Sequence, residues 1–509
     1  MEGNQSSSKI TFNMIASVVA FAVSICISLF ITPVIVEQLG NEAYGFVSLA
    51  NNFVNYAVLF TVALNSMESR FVSIELYKKN YEDANKYFTS IFAANVIIAL
   101  VFAPIMIAFV MKMDSFLNIP KDILGDVKIT FAIVFLQFII EILTSRFEIA
   151  TFVTNRLNLY YINQIIASII RLFVILIGFK VFSVRIIFLV LGSLLGKLFV
   201  ASRNVHYTKS FIPELKIRKQ YFDFHCIKEV VSAGIWNLVS KLSGILLDGL
   251  DLLIANLFIG ATEMGALSLS KTVPALFMTL RGTLDYPFVP PMTKCYARND
   301  IPGVVKYARM GNKILGVFMI APMAVFLIFG ESFFKLWVPS QDARLLEVLS
   351  ILSIISLLAG SCINSIFSIF TITNKVKLNS LVILMTGLAT TATVFLLLQH
   401  TSLGVYAIAG VSSVFGLIRN FIFTPLYGAY CLKIKWSTFY HEIITGNICL
   451  VINALLSYGF YMMLPSGSWG SLLLGCICSG GVCVCCNLFI VLSKEERKTL
   501  LKMGIKKQL

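Results

Sequence analysis

Apolar runs of roughly 17–25 residues, separated by short polar stretches, follow one another along the whole chain, with centres near residues 23, 56, 100, 136, 170, 192, 243, 276, 321, 358, 390, 414, 452 and 480. A helix rises ~1.5 Å per residue, so a run of this length spans the ~30 Å hydrocarbon core of a bilayer. The pattern predicts an all-α integral membrane protein of about 14 transmembrane helices. The polar stretches are short, and the longest, residues 201–228, is too short for a domain.

One run breaks the apolar rule in an ordered way. Ile227–Gly260 holds Lys241, Asp248 and Asp251 inside a membrane-length segment. An ionisable group at that depth costs about 2.5–3.5 kcal/mol or more, and so normally faces a bundle interior or a watery cavity. At ~100° per residue, Asn237, Lys241, Gly244, Asp248 and Asp251 fall within an arc of roughly 80°. One face of the helix is therefore polar from end to end. Such a stripe serves either as a buried salt bridge to a neighbouring helix or as the wall of a cavity that handles a charged solute.

Shifting the sequence by 218–220 residues lays its first half on its second. Gly40 and Gly45 fall on Gly260 and Gly265, and Ala103-Pro104 on Ala321-Pro322. Ile119-Pro120 falls on Val338-Pro339, Thr154-Asn155-Arg156 on Thr373-Asn374-Lys375, and Ser183 on Ser402. The near-constant offset indicates duplication of a six-span unit. An even number of spans makes both copies enter from one side, so the two lobes are expected to be related by an axis along the membrane normal. The organisation is then an N-lobe (1–203, spans 1–6), a cytoplasmic linker (204–228), a C-lobe (229–435, spans 7–12), two extra spans (436–493) and a basic amphipathic tail (494–509).

The duplication extends the stripe. Asn13, Ser17, Ser24 and Ser28 give the first span a polar face matching that of the seventh. The second span has Asn51, Asn55 and Asn65 and the eighth has Lys271, Arg281 and Asp285, with Asn51 the partner of Lys271. Two such faces are expected to line a central cleft. Arg171 shares a helical face with Gln164 and Ser168 and can serve the cavity as well. Lys128, Lys197 and Arg419 lie nearer span ends and read as snorkelling cations. Pro33, Pro104, Pro274 and Pro322 fall inside spans and are expected to kink them.

Composition agrees with the hydropathy pattern: 58% hydrophobic, 13% charged, mean hydropathy +0.85. The net charge of +15 matters less than its distribution. One set of alternate loops carries basic clusters such as Lys78, Lys79 and Lys86, or Lys216, Arg218 and Lys219. The other set holds only Lys112, Lys121, Lys180, Arg185, Lys335 and Arg344. By the positive-inside rule both termini are cytoplasmic, and the basic excess marks orientation and contact with acidic lipid, not nucleic-acid binding. The first span lacks a lysine-rich start and a small-residue cleavage site, so it reads as a retained helix.

The eleven cysteines all lie in or beside apolar spans, five of them in Cys476–Cys486. They read as small helix-packing residues; no disulfide framework or metal site is expected. The four histidines are scattered near span ends, and no HExxH, GxSxG or P-loop pattern occurs in a suitable context. No enzymatic activity and no cofactor are expected.

The segment after the first span, Pro33-Val-Ile-Val-Glu-Gln-Leu-Gly-Asn-Glu-Ala-Tyr-Gly45, resembles the signature of polysaccharide-export flippases of the Wzx type, which serve O-antigen, capsule and teichoic-acid export. These belong to the exporter superfamily that also holds MATE-like multidrug antiporters and lipid II flippases (the MOP superfamily). The likeness extends over nearly the whole chain, as two six-helix lobes plus a terminal pair. It implies a flippase in the bacterial cytoplasmic membrane that moves an undecaprenyl-diphosphate-linked oligosaccharide from inner to outer leaflet by alternating access. It also implies a cationic central cavity, an extra helix pair that helps form a groove for the lipid tail, and polysaccharide polymerase and chain-length machinery as candidate partners. For such a cargo Lys241, Lys271, Arg281 and Arg171 would meet the diphosphate, and Asn13, Asn51, Asn55 and Asn237 the sugar hydroxyls. Asp248 and Asp251 would bind Na⁺ or H⁺ and couple a gradient to reorientation, or else pair statically with Lys241 and Lys271. The alternative is a cation-coupled small-molecule antiporter of the MATE kind.

Overall fold

The computed structural model describes residues 2–154, 156–285, 288–464, 467–494 and 496–497, without the side chains of 2–22, 24, 157, 283, 290 and 359. The side chains of Asn13, Ser17 and Ser24 and the tail beyond Arg497 therefore lie outside the described residues. The chain is 88% helix, with no strand among the described residues. Among the described residues, twelve helices are long and apolar enough to cross a membrane. The passes expected near residues 56 and 276 are helical too, but Leu59–Tyr77 carries Glu68 and Arg70, and Thr272–Asp285 carries Arg281 and Asp285. The protein is a multi-pass membrane protein.

Contacts gather the chain into two compact units, Met1–Ile245 with Leu252–Gly265, and Leu246–Asp251 with Ala266–Leu509. The boundaries drawn from the repeat describe the duplication, whereas this grouping describes packing. The seventh helix, Phe224–Gly244, counts with the first unit because it lies along Leu59–Tyr77 of the second helix. A Cβ on Gly234 would come within 1.8 Å of the Ala63 carbonyl oxygen, so only glycine lets the two backbones approach this closely.

Within the first unit the signature loop has a physical explanation. Gly40 (φ 82°, ψ 166°) joins two helices through a conformation that a side chain disfavours. The turn it makes packs against its own repeat copy. Asn41 donates to the Thr262 carbonyl (3.1 Å) and Thr262 donates to the Glu42 carboxylate (2.5 Å). A Cβ on Gly45 would lie 2.9 Å from the Gly265 Cα, and one on Gly265 would lie 2.5 Å from the Asn41 carbonyl.

The stretch between the sixth helix, Ile187–Phe211, and the seventh is strapped to the third, Tyr81–Lys112. Asn85 donates to the Glu214 carbonyl (3.0 Å) and accepts from the Lys216 amide (2.6 Å). Thr89 donates to the Lys216 carbonyl (3.3 Å), and the Asp223 amide donates to Ser90 (2.8 Å). Three side chains on one helical face thus satisfy a loop that would otherwise leave its polar backbone groups unpaired.

The second unit repeats the local geometry of the first. Lys79 (φ 59°) precedes the Asn80 cap on Asp83, and Asn299 (φ 57°) precedes the Asp300 cap on Gly303. Leu157–Val181 and Val376–His400 each have 25 residues. Of the proline positions, Pro322 coincides with a break at Met319 between Ile301–Phe318 and Ile320–Trp337, while Pro104 sits in an unbroken helix.

The extra pair, Tyr440–Met463 and Trp469–Val491, packs on this ninth helix. There Gly446 abuts Cys362, Gly475 abuts Phe329, and Asn487 donates to the Val317 carbonyl (3.2 Å). The packing buries 72% of the ninth helix's apolar window, against 22% for its repeat counterpart Tyr81–Ser115. Cys449 and Cys483 are fully buried, whereas Cys26 and Cys485 are exposed.

Gly265→Val is therefore expected to destabilise the purified protein by about 1–3 kcal/mol through overpacking. The measurement is the thermal midpoint in detergent. A midpoint equal to the wild type would show that the close approach of the two turns contributes nothing.

Candidate functional site

Three helix interruptions position the charged residues of the second unit. Pro274 has no N–H, and its ring crowds the carbonyl four residues back. The eighth helix accordingly ends at Ser270 and resumes at Thr272. The Ser270 carbonyl, deprived of its helical donor, accepts from the Ser350 hydroxyl at 2.7 Å. Lys271 occupies the gap. Its ammonium donates to the Asp251 carboxylate (2.5 Å) and to the Asp248 carbonyl (3.2 Å).

The seventh helix is interrupted as well. Ile245–Gly249 forms a wide π turn, and the helix restarts as Asp251–Phe258. The Leu246 carbonyl accepts from Thr391 (2.9 Å). Asp251 is 6% exposed and satisfied by Lys271. Asp248 is exposed, and its carboxylate has no hydrogen-bond partner among the described residues. In the twelfth helix a second π turn, Arg419–Phe423, precedes Pro425, and the Phe421 carbonyl accepts from Tyr440 (3.0 Å).

Two arginines in this unit have unspent donors. Asp285 is buried and satisfied by Asn364 (2.8 Å) and the Ser365 hydroxyl. Arg281 lies within electrostatic range of Asp285 and Arg419 but makes no hydrogen bond among the described residues. Arg419 donates to Asn420 at 3.4 Å and lies over the Phe367 ring, while its Nε is buried without an acceptor among the described residues. The Asp248 carboxylate attracts it at longer range.

In the first unit Lys241 donates to Asn55 (3.2 Å) and Asn237 to Ser66 (2.9 Å), so two of the stripe residues meet polar groups of the second helix. Asn55 leaves the lysine charge unneutralised. Asn51 turns back to the Val47 carbonyl of its own helix. Arg171 lines a cavity of about 490 Å³ with Gln164, Ser168, Glu141, Glu148 and Lys197. Its Nε is buried without a partner, while Glu141 is held by Lys197 at 2.6 Å.

The structure thus joins Lys241 with Asn55, and Lys271 with Asp251. Of the two open readings of the acids, Asp251 has the geometry of the static pair. Reading the sequence missed Arg419, Asn364 and Ser365. Arg419 resembles a snorkelling cation by hydropathy, and its only signal was Pro425 six residues on. Asn364 and Ser365 carried no signal until their helix was seen beside Asp285. Among the described residues no cluster of His, Cys, Asp and Glu is suited to a metal ion.

This architecture defines a class. The fold resembles that of MATE transporters and of the lipid II flippase MurJ. Solved structures similar to it include the lipid II flippase MurJ in an inward closed conformation (TM-score 0.64, 13% identity, 93% of this chain and 98% of that one). An inward-facing multidrug resistance MATE family transporter is also similar (TM-score 0.63, 12% identity, 82% and 98%). The chain belongs to the polysaccharide biosynthesis protein family, whose profile matches residues 34–338. A relative from Bacillus subtilis (strain 168), the uncharacterized membrane protein EpsK, is 29% identical over 499 residues, 97% of this chain and 98% of the relative.

Removing one member of the Lys271–Asp251 pair should strand a buried charge. The cost reaches about 3–5 kcal/mol for fully buried pairs; with 27% of the Lys271 side chain exposed, we expect about 2 kcal/mol for Lys271→Met. Lys271→Met with Asp251→Leu should recover most of that loss. Additive thermal midpoints in the double-variant cycle would show that the two do not interact.

Proposed function

We propose that the protein is a flippase that moves an undecaprenyl-diphosphate-linked oligosaccharide from the inner to the outer leaflet of a bacterial cytoplasmic membrane by alternating access. The observation that carries this reading is the pair Arg281 and Arg419, whose guanidinium donors stay open while the neighbouring acids Asp251 and Asp285 are satisfied. A diphosphate entering an apolar region loses its hydration and requires replacement donors there. Guanidinium supplies planar, permanently charged, bidentate ones. Family membership and the MurJ-like fold support the same cargo class.

In the first unit the Lys241 ammonium has a neutral partner, Asn55. Asn55 and Asn237 are suited to sugar hydroxyls, and Arg171 serves the cavity in its own unit. Asp248, exposed and without a bonded partner, is the acid we assign to Na⁺ or H⁺ coupling, with Asp251 locked to Lys271. The basic loop bias orients both termini toward the cytoplasm.

Deleting the gene should cause build-up of undecaprenyl-linked oligosaccharide together with loss of surface polymer. Altered drug sensitivity without build-up would favour the antiporter reading instead. In the complemented strain, Arg281→Ala, Arg419→Ala and Lys241→Ala should each cut polymer export at least ten-fold at unchanged protein level, with Arg281→Lys retaining part of it. Normal export by both arginine variants would remove the arginines from the site.

A further inference from the structure

The two repeats each carry an open surface cavity at corresponding positions, and the two cavities have diverged in charge. In the first unit a space of about 660 Å³ is lined by Tyr81, Glu82, Asn85, Lys86, Glu214 and Lys216, among others. In the second, a space of about 730 Å³ is lined by Ile301, Pro302, Val305, Lys306, Lys433 and Lys435, with Arg309, Lys313 and Glu496. A shift of 220 carries Glu82, Asn85 and Lys86 onto Pro302, Val305 and Lys306; a shift of 219 carries Glu214 and Lys216 onto Lys433 and Lys435. Both acids of the first cavity are therefore absent from the second, one replaced by a cation.

The bonding differs too. Asn85 fills its cavity's edge with the backbone of the strapped loop, whereas its counterpart Val305 can make no such bond. In the second cavity Arg309 is held by Glu442 (2.6 Å) and Lys313 by Glu496 (2.8 Å). Lys306, Lys433 and Lys435 are exposed and, among the described residues, bridge to no carboxylate. Lys433 stands on a left-handed turn (φ 57°) that caps its helix, so its backbone is fixed. Next to Lys435, Trp436 is 66% exposed with its ring 5.7 Å from that of Tyr440. An exposed tryptophan beside lysines is the pattern of the headgroup layer.

A solvated basic face would explain scattered lysines. It does not explain three unpaired ones converging on a cavity whose duplicate is partly neutralised. We propose that this second-unit cavity binds the phosphate headgroup of an acidic membrane lipid through Lys306, Lys433 and Lys435. Basic pockets between helices on the cytoplasmic side recognise such headgroups by charge and hydrogen bonding to phosphate oxygens. The inference does not depend on the cargo, since none of these lysines belongs to the transport site.

The test uses the full-length protein in nanodiscs of phosphatidylcholine with increasing cardiolipin, read by native mass spectrometry as retained lipid. Each lysine near a charged headgroup contributes roughly a five-fold gain in affinity, so Lys306→Gln, Lys433→Gln and Lys435→Gln together should weaken retention on the order of a hundred-fold. The same three positions changed to arginine should restore it. Lys86→Gln with Lys216→Gln, in the other repeat, should change nothing. Equal retention by the wild type and the triple glutamine variant would overturn the site. Inorganic diphosphate in lipid-free detergent is the second arm: lysine-dependent binding of that ion as tight as that of cardiolipin would overturn the lipid assignment in favour of a soluble anion.

Discussion

In hydrocarbon every backbone carbonyl must find a donor inside the protein, and this requirement governs where the chain can place charge. A regular helix satisfies its carbonyls but presents a side chain in only one of its rotational positions. Interrupting the helix lifts that restriction and exposes carbonyls, which something nearby must then bond. Here Ser350 serves Ser270, Thr391 serves Leu246 and Tyr440 serves Phe421. The Lys271 ammonium serves both a carbonyl and a carboxylate. Lys271, Asp248 and Arg419 all sit on or beside these interruptions. Hydroxyl-bearing residues on neighbouring helices thus satisfy the carbonyls that the interruptions expose.

The division of partners within the cluster follows from the chemistry of its members. An ammonium is compact and is neutralised by one carboxylate, as Lys271 is. A guanidinium has five donors in a rigid fork and is left over when its neighbours are already satisfied. Hence the acids Asp251 and Asp285 are satisfied locally, while Arg281 and Arg419 keep open donors. With the shift of 220, the neutral Asn51 and Asn65 stand where the eighth helix has Lys271 and Asp285.

Much of this was legible from residue order. Membrane-length apolar runs and an offset of about 220 residues followed from bilayer thickness and from turn residues, which tolerate few substitutes. The stripe of Asn237, Lys241, Asp248 and Asp251 was visible by periodicity, and pairing with Lys271 was one of its two readings. The break at residues 245–250 was not, because no proline announces it. The π turn at Arg419 was hidden too, because hydropathy locates a residue along the span but does not register the turn around it. The packing of the terminal helix pair on the ninth helix was equally hidden, since small residues such as Gly446 and Cys449 signal close approach without naming the partner.

The loop between the sixth and seventh helices ordinarily would be slack, a length of chain that lets its flanking elements drift apart. Bonded at Asn85, Thr89 and Ser90, it ties the start of the seventh helix to the third through hydrogen bonds as well as through the chain.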